Sequence, residues 1–337
     1  MKIDIEERVF HFKQPAGTSR GIYTERLSWL VTITDGERKG VGECAPLLDL
    51  SCDALEPHIY KKVLRGFCDQ MEQTGDIPYE EMRDYPSMLF GLETAKLSLN
   101  SDLLFETPFS RGEEGITING LVWMGSYDEM LKRMDEKLQK GFRCVKLKVG
   151  AIDFDRELDL VKRIRERFSH REVELRLDAN GGFKPDEALY QLELLSQYAI
   201  HSIEQPIKQK QWAKMAELCR DAPLPIALDE ELIGVNDPET KRQMLRIIKP
   251  AYIVLKPSLH GGMMGCREWI DIAKEEGIGW WITSALESNI GLNAIAQFAS
   301  SFPLTMPQGL GTGMLFTDNV PMPLEIKGDK LWISKNS

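Results

Sequence analysis

Five charged residues recur roughly 25–30 positions apart along one half of the chain: Lys148, Asp178, Glu204, Asp229 and Lys256. Each closes a short apolar run, in CVKLK, ELRLD, SIE, PIALD and YIVLK. One strand, one helix and two loops need about that interval in a βα barrel of ~250 residues. A charge at the end of a buried strand is costly unless it is paired or holds a metal. In a barrel the C-terminal ends of the strands share one mouth, so all five charges converge there.

The surrounding rhythm agrees. Apolar runs at 116–120, 143–149, 173–179, 201–205, 224–230, 251–257 and 279–285 alternate with amphipathic stretches such as 126–140 and 154–168. An eighth, weak strand is expected near 303–309. Strand–helix alternation gives a parallel sheet, and eight units close it. The first hundred residues read differently. Strands are expected over 2–12, 20–34 and 39–45, with a turn at Asp35-Gly36. Helical spacing follows over 53–74 and 87–99, with Pro86 near the second start. The expected architecture is α/β: a (β/α)8-type (modified TIM) barrel over 113–319 with an N-terminal α+β capping domain over 1–112. The tail 320–337 has strand and turn character and is expected to pack back on the capping domain.

The net charge of −10 over 337 residues argues against nonspecific nucleic-acid binding, which needs a basic surface. It leaves room for an anionic small molecule in a locally positive site. No apolar run reaches the ~18–20 residues of a membrane span. The opening MKIDIEERVFHFK is charged and alternating, unlike a signal peptide. The six cysteines are scattered without a CxxC pair, as free thiols of a reducing cytoplasm are. Size and charge permit a monomer.

Asp178, Glu204 and Asp229 end three adjacent strands in this scheme. Converging carboxylates repel unless a cation sits between them. Hard oxygen ligands with no His or Cys nearby favour Mg²⁺, or Mn²⁺, over zinc. The other reading is that the three carboxylates cap helices or form salt bridges. Asn180, two residues beyond Asp178, is placed to orient the ligands. Glu230 and Glu231 compete with Asp229 for the third ligand, and Asp229 is preferred because it directly follows PIAL. Lys146 and Lys148 lie two apart on one strand, so both point inward if Val145, Leu147 and Val149 pack outward. A lysine lowered by a like charge and a metal can act as a general base. Lys256 stands across the mouth. Arg176 shares a face with Asp178, to meet a second substrate carboxylate or to form an ion pair inside the barrel. A cation with a lysine on either side suits removal of a proton next to a carboxylate, because the metal stabilises the enediolate.

These motifs resemble the enolase superfamily, in its muconate-lactonizing subgroup: KxK at Lys146–Lys148, DAN at Asp178–Asn180, EQP at Glu204–Pro206, ALDE at Ala227–Glu230 and LKP at Leu255–Pro257. The resemblance spans essentially the whole chain. It implies Asp178, Glu204 and Asp229 as Mg²⁺ ligands, Lys148 as acid/base and Lys256 as its opposite partner. Within the superfamily the chain is most similar to the o-succinylbenzoate synthase family of menaquinone biosynthesis. That likeness rests on Arg176, on the segment Thr283–Asn289 and on the Gly-rich segment Gly309–Gly313. It implies a small-molecule dicarboxylate substrate, held in part by Ser284, Ser288, Asn289 and Gly311. The implied reaction is a syn-dehydration through an enediolate. The runner-up is an N-acylamino acid racemase or dipeptide epimerase. Such enzymes place an Asp-x-Asp pair where this chain has Gly311 and Gly313. A non-catalytic binding barrel is disfavoured by the intact lysines and carboxylates. The loops holding Thr18 and Arg20, and holding Leu48, are expected to close over substrate or to serve as ordinary turns. Trp123, Trp280 and Trp281 are expected in the pocket or in the core.

Overall fold

Three antiparallel strands open the chain: β1 (Lys2–Thr18), β2 (Gly21–Asp35) and β3 (Arg38–Cys44). The computed structural model describes residues 1–18, 21–122, 126–150 and 153–334. Gly36 takes φ +63 in the tight turn between β2 and β3, a conformation glycine adopts without strain. Two helices cover the sheet, α1 (Pro57–Thr74) and α2 (Pro86–Ser98), each with proline in its first turn. The first starts later than its apolar spacing suggests. Asp53 turns inward instead and accepts Ser87 N–H (2.8 Å) and Ser87 Oγ–H (2.5 Å) at the start of α2. Helix α2 lies so close on β3 that a Cβ on Gly42 would sit 1.9 Å from the carbonyl oxygen of Gly91. It is buried from Pro86 to Ala95 because the barrel covers its other side.

The second unit runs β4 (Ile116–Thr117), β5 (Gly120–Val122), α3 (Tyr127–Gln139), β6 (Cys144–Lys148), α4 (Phe154–Arg167), β7 (Glu174–Asp178), α5 (Pro185–Ser196), β8 (Ser202–Glu204), α6 (Trp212–Asp221), β9 (Ile226–Leu228), α7 (Pro238–Ile248), β10 (Tyr252–Leu255), α8 (Gly262–Glu275), β11 (Gly279–Ile282) and α9 (Asn289–Ser300). Strands β5 to β11 form one parallel sheet in chain order. The eighth stave is reduced to two single bridges, Ile118 to Gln308 and Thr283 to Gly309, which join the sheet's ends. Gln308 completes this seam with its side chain: Oε1 accepts Ile282 N–H (2.7 Å) and Nε2 donates to Met306 O (2.7 Å). Val145, Leu147 and Val149 join Leu160 and Val161 of α4 in the outer core, which turns Lys146 and Lys148 inward.

The expected run 116–120 divides. Its first two residues leave the barrel, and β4 pairs with a C-terminal hairpin of β12 (Leu324–Lys327) and β13 (Lys330–Ile333). The tail's hairpin therefore adds to the barrel unit, with Leu331 in the barrel core. Contact with the capping sheet is made just upstream: Lys13 N–H donates to Leu315 O (2.8 Å) and Thr317 N–H to His11 O (2.9 Å). No helix among the described residues is long and apolar enough to cross a membrane.

Candidate active site

Five neighbouring strands deliver their last residues to one place. Lys148, Asp178 and Glu204 end β6, β7 and β8, and Asp229 and Lys256 follow β9 and β10 directly. Asp178, Glu204 and Asp229 are buried, and one oxygen from each lies within 4.8 Å of the other two. The lysines surround them. Lys146 Nζ donates to Asp178 Oδ2 (3.0 Å) and Glu204 Oε2 (2.7 Å). Lys148 Nζ donates to Asp178 Oδ2 (3.0 Å) and Asn180 Oδ1 (2.6 Å). Lys256 Nζ donates to both oxygens of Asp229 at 2.6 Å. Asn180 also donates to Glu230 Oε1 (2.9 Å), which fixes its amide toward Lys148. Glu231 turns away from the triad to accept Gln205 Nε2–H (3.0 Å) and Lys210 N–H (2.6 Å).

The electrostatics leave room for a cation. Burial opposes ionisation of Asp178, but Lys146, Lys148 and Lys256 outweigh it and hold its pKa well below the carboxylate range. Burial pushes Glu204 up to about 7, with Lys146 opposing and Asp178 and Asp229 adding to the rise. Glu204 Oε1 is buried and has no hydrogen-bond partner. An orphaned carboxylate oxygen beside two more carboxylates fits a hard divalent cation held by oxygen. Burial works against the charge on Lys146 and on Lys256. Carboxylates reverse this: Asp178, Glu204 and Asp229 raise Lys146, and Asp229 and Glu230 raise Lys256. Among protein groups alone, carboxylates dominate the field at Lys146.

A cavity opens above this cluster, with about 720 Å³ of space, part of it open to solvent. Lys146, Lys148, Asp178, Asn180 and Lys256 line its floor, and Ser284 and Gly311 line its wall. Thr283 and Thr312 of the two singled-out segments also line the wall, as do Leu47 and Leu50 of the expected capping loop. Three lining residues escaped sequence reasoning: Asn119 and Leu121 from the barrel and Tyr23 from the capping domain. Asn119 carried a usable signal, as a polar residue inside the apolar run ITING. Tyr23 carried none, since its place depends on how the two domains meet.

Other expected contacts lie elsewhere. Arg176 sits on the opposite, N-terminal side of the barrel. It is fully buried, paired with Glu174 Oε1 (2.8 Å) and Pro307 O (3.0 Å), with its guanidinium 4.5 Å from the Trp281 ring centroid. The ion pair inside the barrel is the arrangement found. Ser288 caps α9 and donates to Glu43 Oε2 (2.6 Å), while Asn289 meets Asn319. Leu48 is 57% exposed, and its neighbours Leu47 and Leu50 take the place expected of it. Arg20, the side chain of Thr18, and Trp123 lie outside the described residues. Trp281 is core, and Trp280 packs on Phe302.

Comparison with known proteins places this geometry. Residues 129–335 match the Enolase C-terminal domain-like family, and residues 18–99 match the MenC N-terminal domain. The o-succinylbenzoate synthase of Desulfotalea psychrophila is 45% identical, over 96% of both chains. The chain belongs to the o-succinylbenzoate synthase family. This family is a lyase branch of the enolase superfamily. The crystal structure of MenC from the same organism agrees, with a TM-score of 0.82 and 40% identity over 99% of both chains. A dipeptide epimerase from Enterococcus faecalis, solved with Mg and the dipeptide L-Leu-L-Tyr, has a TM-score of 0.86. It is 19% identical over 99% of this chain and 96% of its own, and shares the fold alone with this member of the o-succinylbenzoate synthase family.

Proposed function

We propose that this chain is the o-succinylbenzoate-forming hydro-lyase of menaquinone biosynthesis. It removes water from 2-succinyl-6-hydroxy-2,4-cyclohexadiene-1-carboxylate. Asp178, Glu204 and Asp229 are the ligands for Mg²⁺, with Mn²⁺ as a substitute. The bound cation supplies positive charge to the substrate carboxylate when the adjacent carbon loses its proton. Lys148 takes that proton. The C–O bond to the ring hydroxyl then breaks on the same face, and Lys148 returns the proton to the departing oxygen, which leaves as water. Lys256, held charged by Asp229, stands on the other side and balances the developing negative charge. Asn180 aims Lys148 through its 2.6 Å hydrogen bond.

The observation that favours this reaction over dipeptide epimerisation is the wall at Gly309–Thr312. It offers glycine, a threonine hydroxyl and no carboxylate, so it has no counter-charge for a substrate ammonium. The test is an absorbance assay for the aromatic product with purified protein and Mg²⁺. Product formation is expected. No product, together with α-proton exchange on an N-acylamino acid or a dipeptide, would overturn the dehydratase reading in favour of the racemase.

A further inference from the structure

The cavity wall at 284–286 does not hold itself. Leu286 takes φ +65, a left-handed conformation that costs a residue with a branched side chain and persists only where its surroundings enforce it. The enforcing groups come mainly from the capping domain. Arg26 of β2 is 4% exposed, and its guanidinium ties four backbone carbonyls together. On the barrel side, Nε donates to Leu286 O and Nη2 to Ala285 O, both at 3.3 Å. On the capping side, Nη2 donates to Ala45 O (2.5 Å) and Nη1 to Pro46 O. Ala45 and Pro46 lead into Leu47 and Leu50 on the facing wall.

Glu43 of β3 is fully buried and holds the next turn. Its Oε1 accepts Ser288 N–H (3.0 Å) and Ser28 Oγ–H (2.9 Å). Its Oε2 accepts Ser288 Oγ–H (2.6 Å) and Gly291 N–H (3.0 Å). A carboxylate from one domain thus caps the first turn of α9 in the other. There is no slack: a Cβ on Gly291 would lie 3.0 Å from Glu43 Oε2 and 2.6 Å from Glu287 Cβ. From the barrel side, Glu287 Oε2 accepts Ala285 N–H (2.7 Å) and Oε1 accepts the Ser258 hydroxyl, two residues beyond Lys256.

We propose that Arg26 and Glu43 are positioning residues that set the shape of the 284–291 wall, and through it the grip on the part of the substrate remote from the reacting carbon. Neither residue touches the carboxylate triad or the lysines. Their effect passes through the backbone of Ala285, Leu286 and Ser288. The identity of that substrate rests on the function proposed above, whereas the positioning is a property of the fold.

Two readouts test it on Arg26→Gln, Arg26→Lys, Glu43→Gln and Ser288→Ala. The first is amide hydrogen exchange on the purified full chain without substrate, which needs no assumption about the reaction. The second is steady-state kinetics on whichever substrate the wild type turns over, dehydratase or racemase. The control is Arg65→Gln, which loosens the capping domain at Ile3 and Glu72, away from the cavity. Exchange should rise within 284–291 and 45–50, with KM up about tenfold or more and kcat within about threefold, the pattern of lost binding rather than lost chemistry. Arg26→Lys should fall between wild type and Arg26→Gln, because an ammonium cannot reproduce the guanidinium fork. If a charge-removing variant fails to fold, Arg26→Lys and Ser288→Ala carry the test, since both make smaller changes. Faster exchange spread over the whole capping domain, as in Arg65→Gln, or an unchanged KM, overturns the proposal. Absence of dehydratase product in the wild type counts against the proposed function alone.

Discussion

The two arcs of the cavity are built by different physics. From Lys148 to Lys256, each group stands at the end of its own strand, and parallel register places it: Lys148 beside Asp178, and Asp178 beside Glu204. From Thr283 to Thr312, the wall is made of backbone and small hydroxyls. Much of it is held from the capping domain, through contacts such as Glu43 to Ser288 that span 245 positions of sequence. The first arc carries the charges to which the proposed reaction is assigned and is placed by topology. The second carries shape and depends on how two domains fit. In the proposed function, chemistry and selectivity rest on separate supports, and substitutions should separate them.

The largest effect is expected at Lys148. Lys148→Ala should lower kcat by about 10²–10⁴-fold, the range of a lost general acid/base, with KM little changed. Retention of kcat in that variant would remove the first arc's assigned role. Chelation comes next. EDTA should abolish turnover, and added Mg²⁺ should restore it. Binding of Mg²⁺ measured by calorimetry should weaken at least about tenfold in Glu204→Gln, because metal sites depend on every ligand. Arg176→Met should act on stability alone. Breaking its buried pair with Glu174 leaves a charge poorly partnered and is expected to cost about 3–5 kcal/mol, less to the extent that Glu174 reaches solvent. A denaturation midpoint that falls with KM unchanged fits the barrel-floor position, and a raised KM would return Arg176 to the substrate.

The smallest effect concerns the seam between the domains. Glu93 of α2 accepts Met263 N–H (2.6 Å) and Met264 N–H (3.0 Å) at the start of α8. Burial pushes its pKa up to about 8, from an ordinary 4.5, with those two N–H groups opposing. Burial likewise lifts Asp53 to about 6. A carboxyl whose pKa is higher folded than unfolded takes up a proton on folding. Its contribution is complete below the unfolded value and is lost as pH rises through the folded one. The contributions of Glu93 and Asp53 to thermal stability should therefore fall between about pH 4 and 8, and Glu93→Gln should lose the upper part of that pH dependence relative to wild type. An unchanged slope in the variant would show that Glu93 is ionised throughout.

The first arc was legible in the sequence because periodicity is a local property. An apolar run followed by a charge needs only its own strand to be recognised. The capping strands, although β1 runs on to Thr18, and the four helices read from their apolar spacing were legible for the same reason. The eighth stave, expected as a weak strand near 303–309, is found there as the bridges at Gln308 and Gly309, where Gln308 closes the seam with a side chain. What escaped depended on distant partners. Ser288 looked like a ligand for substrate because its role as a cap needs Glu43. Arg176 shares a face with Asp178, yet lies deeper, so alternation alone could not say which end of the barrel it served. The tail's strands were visible, but not that β4 would leave the barrel to receive them.

The floor beneath the triad has one more consequence. Arg176 stacked on Trp281, with Tyr252 and Met306 packed around the indole, plugs the barrel below the reacting groups. Among the described residues the site is therefore closed from below. Reactant and product would then enter and leave on the capping-domain side, and the product must leave before the next molecule enters. Added product should compete directly with substrate, raising the apparent KM while leaving kcat unchanged.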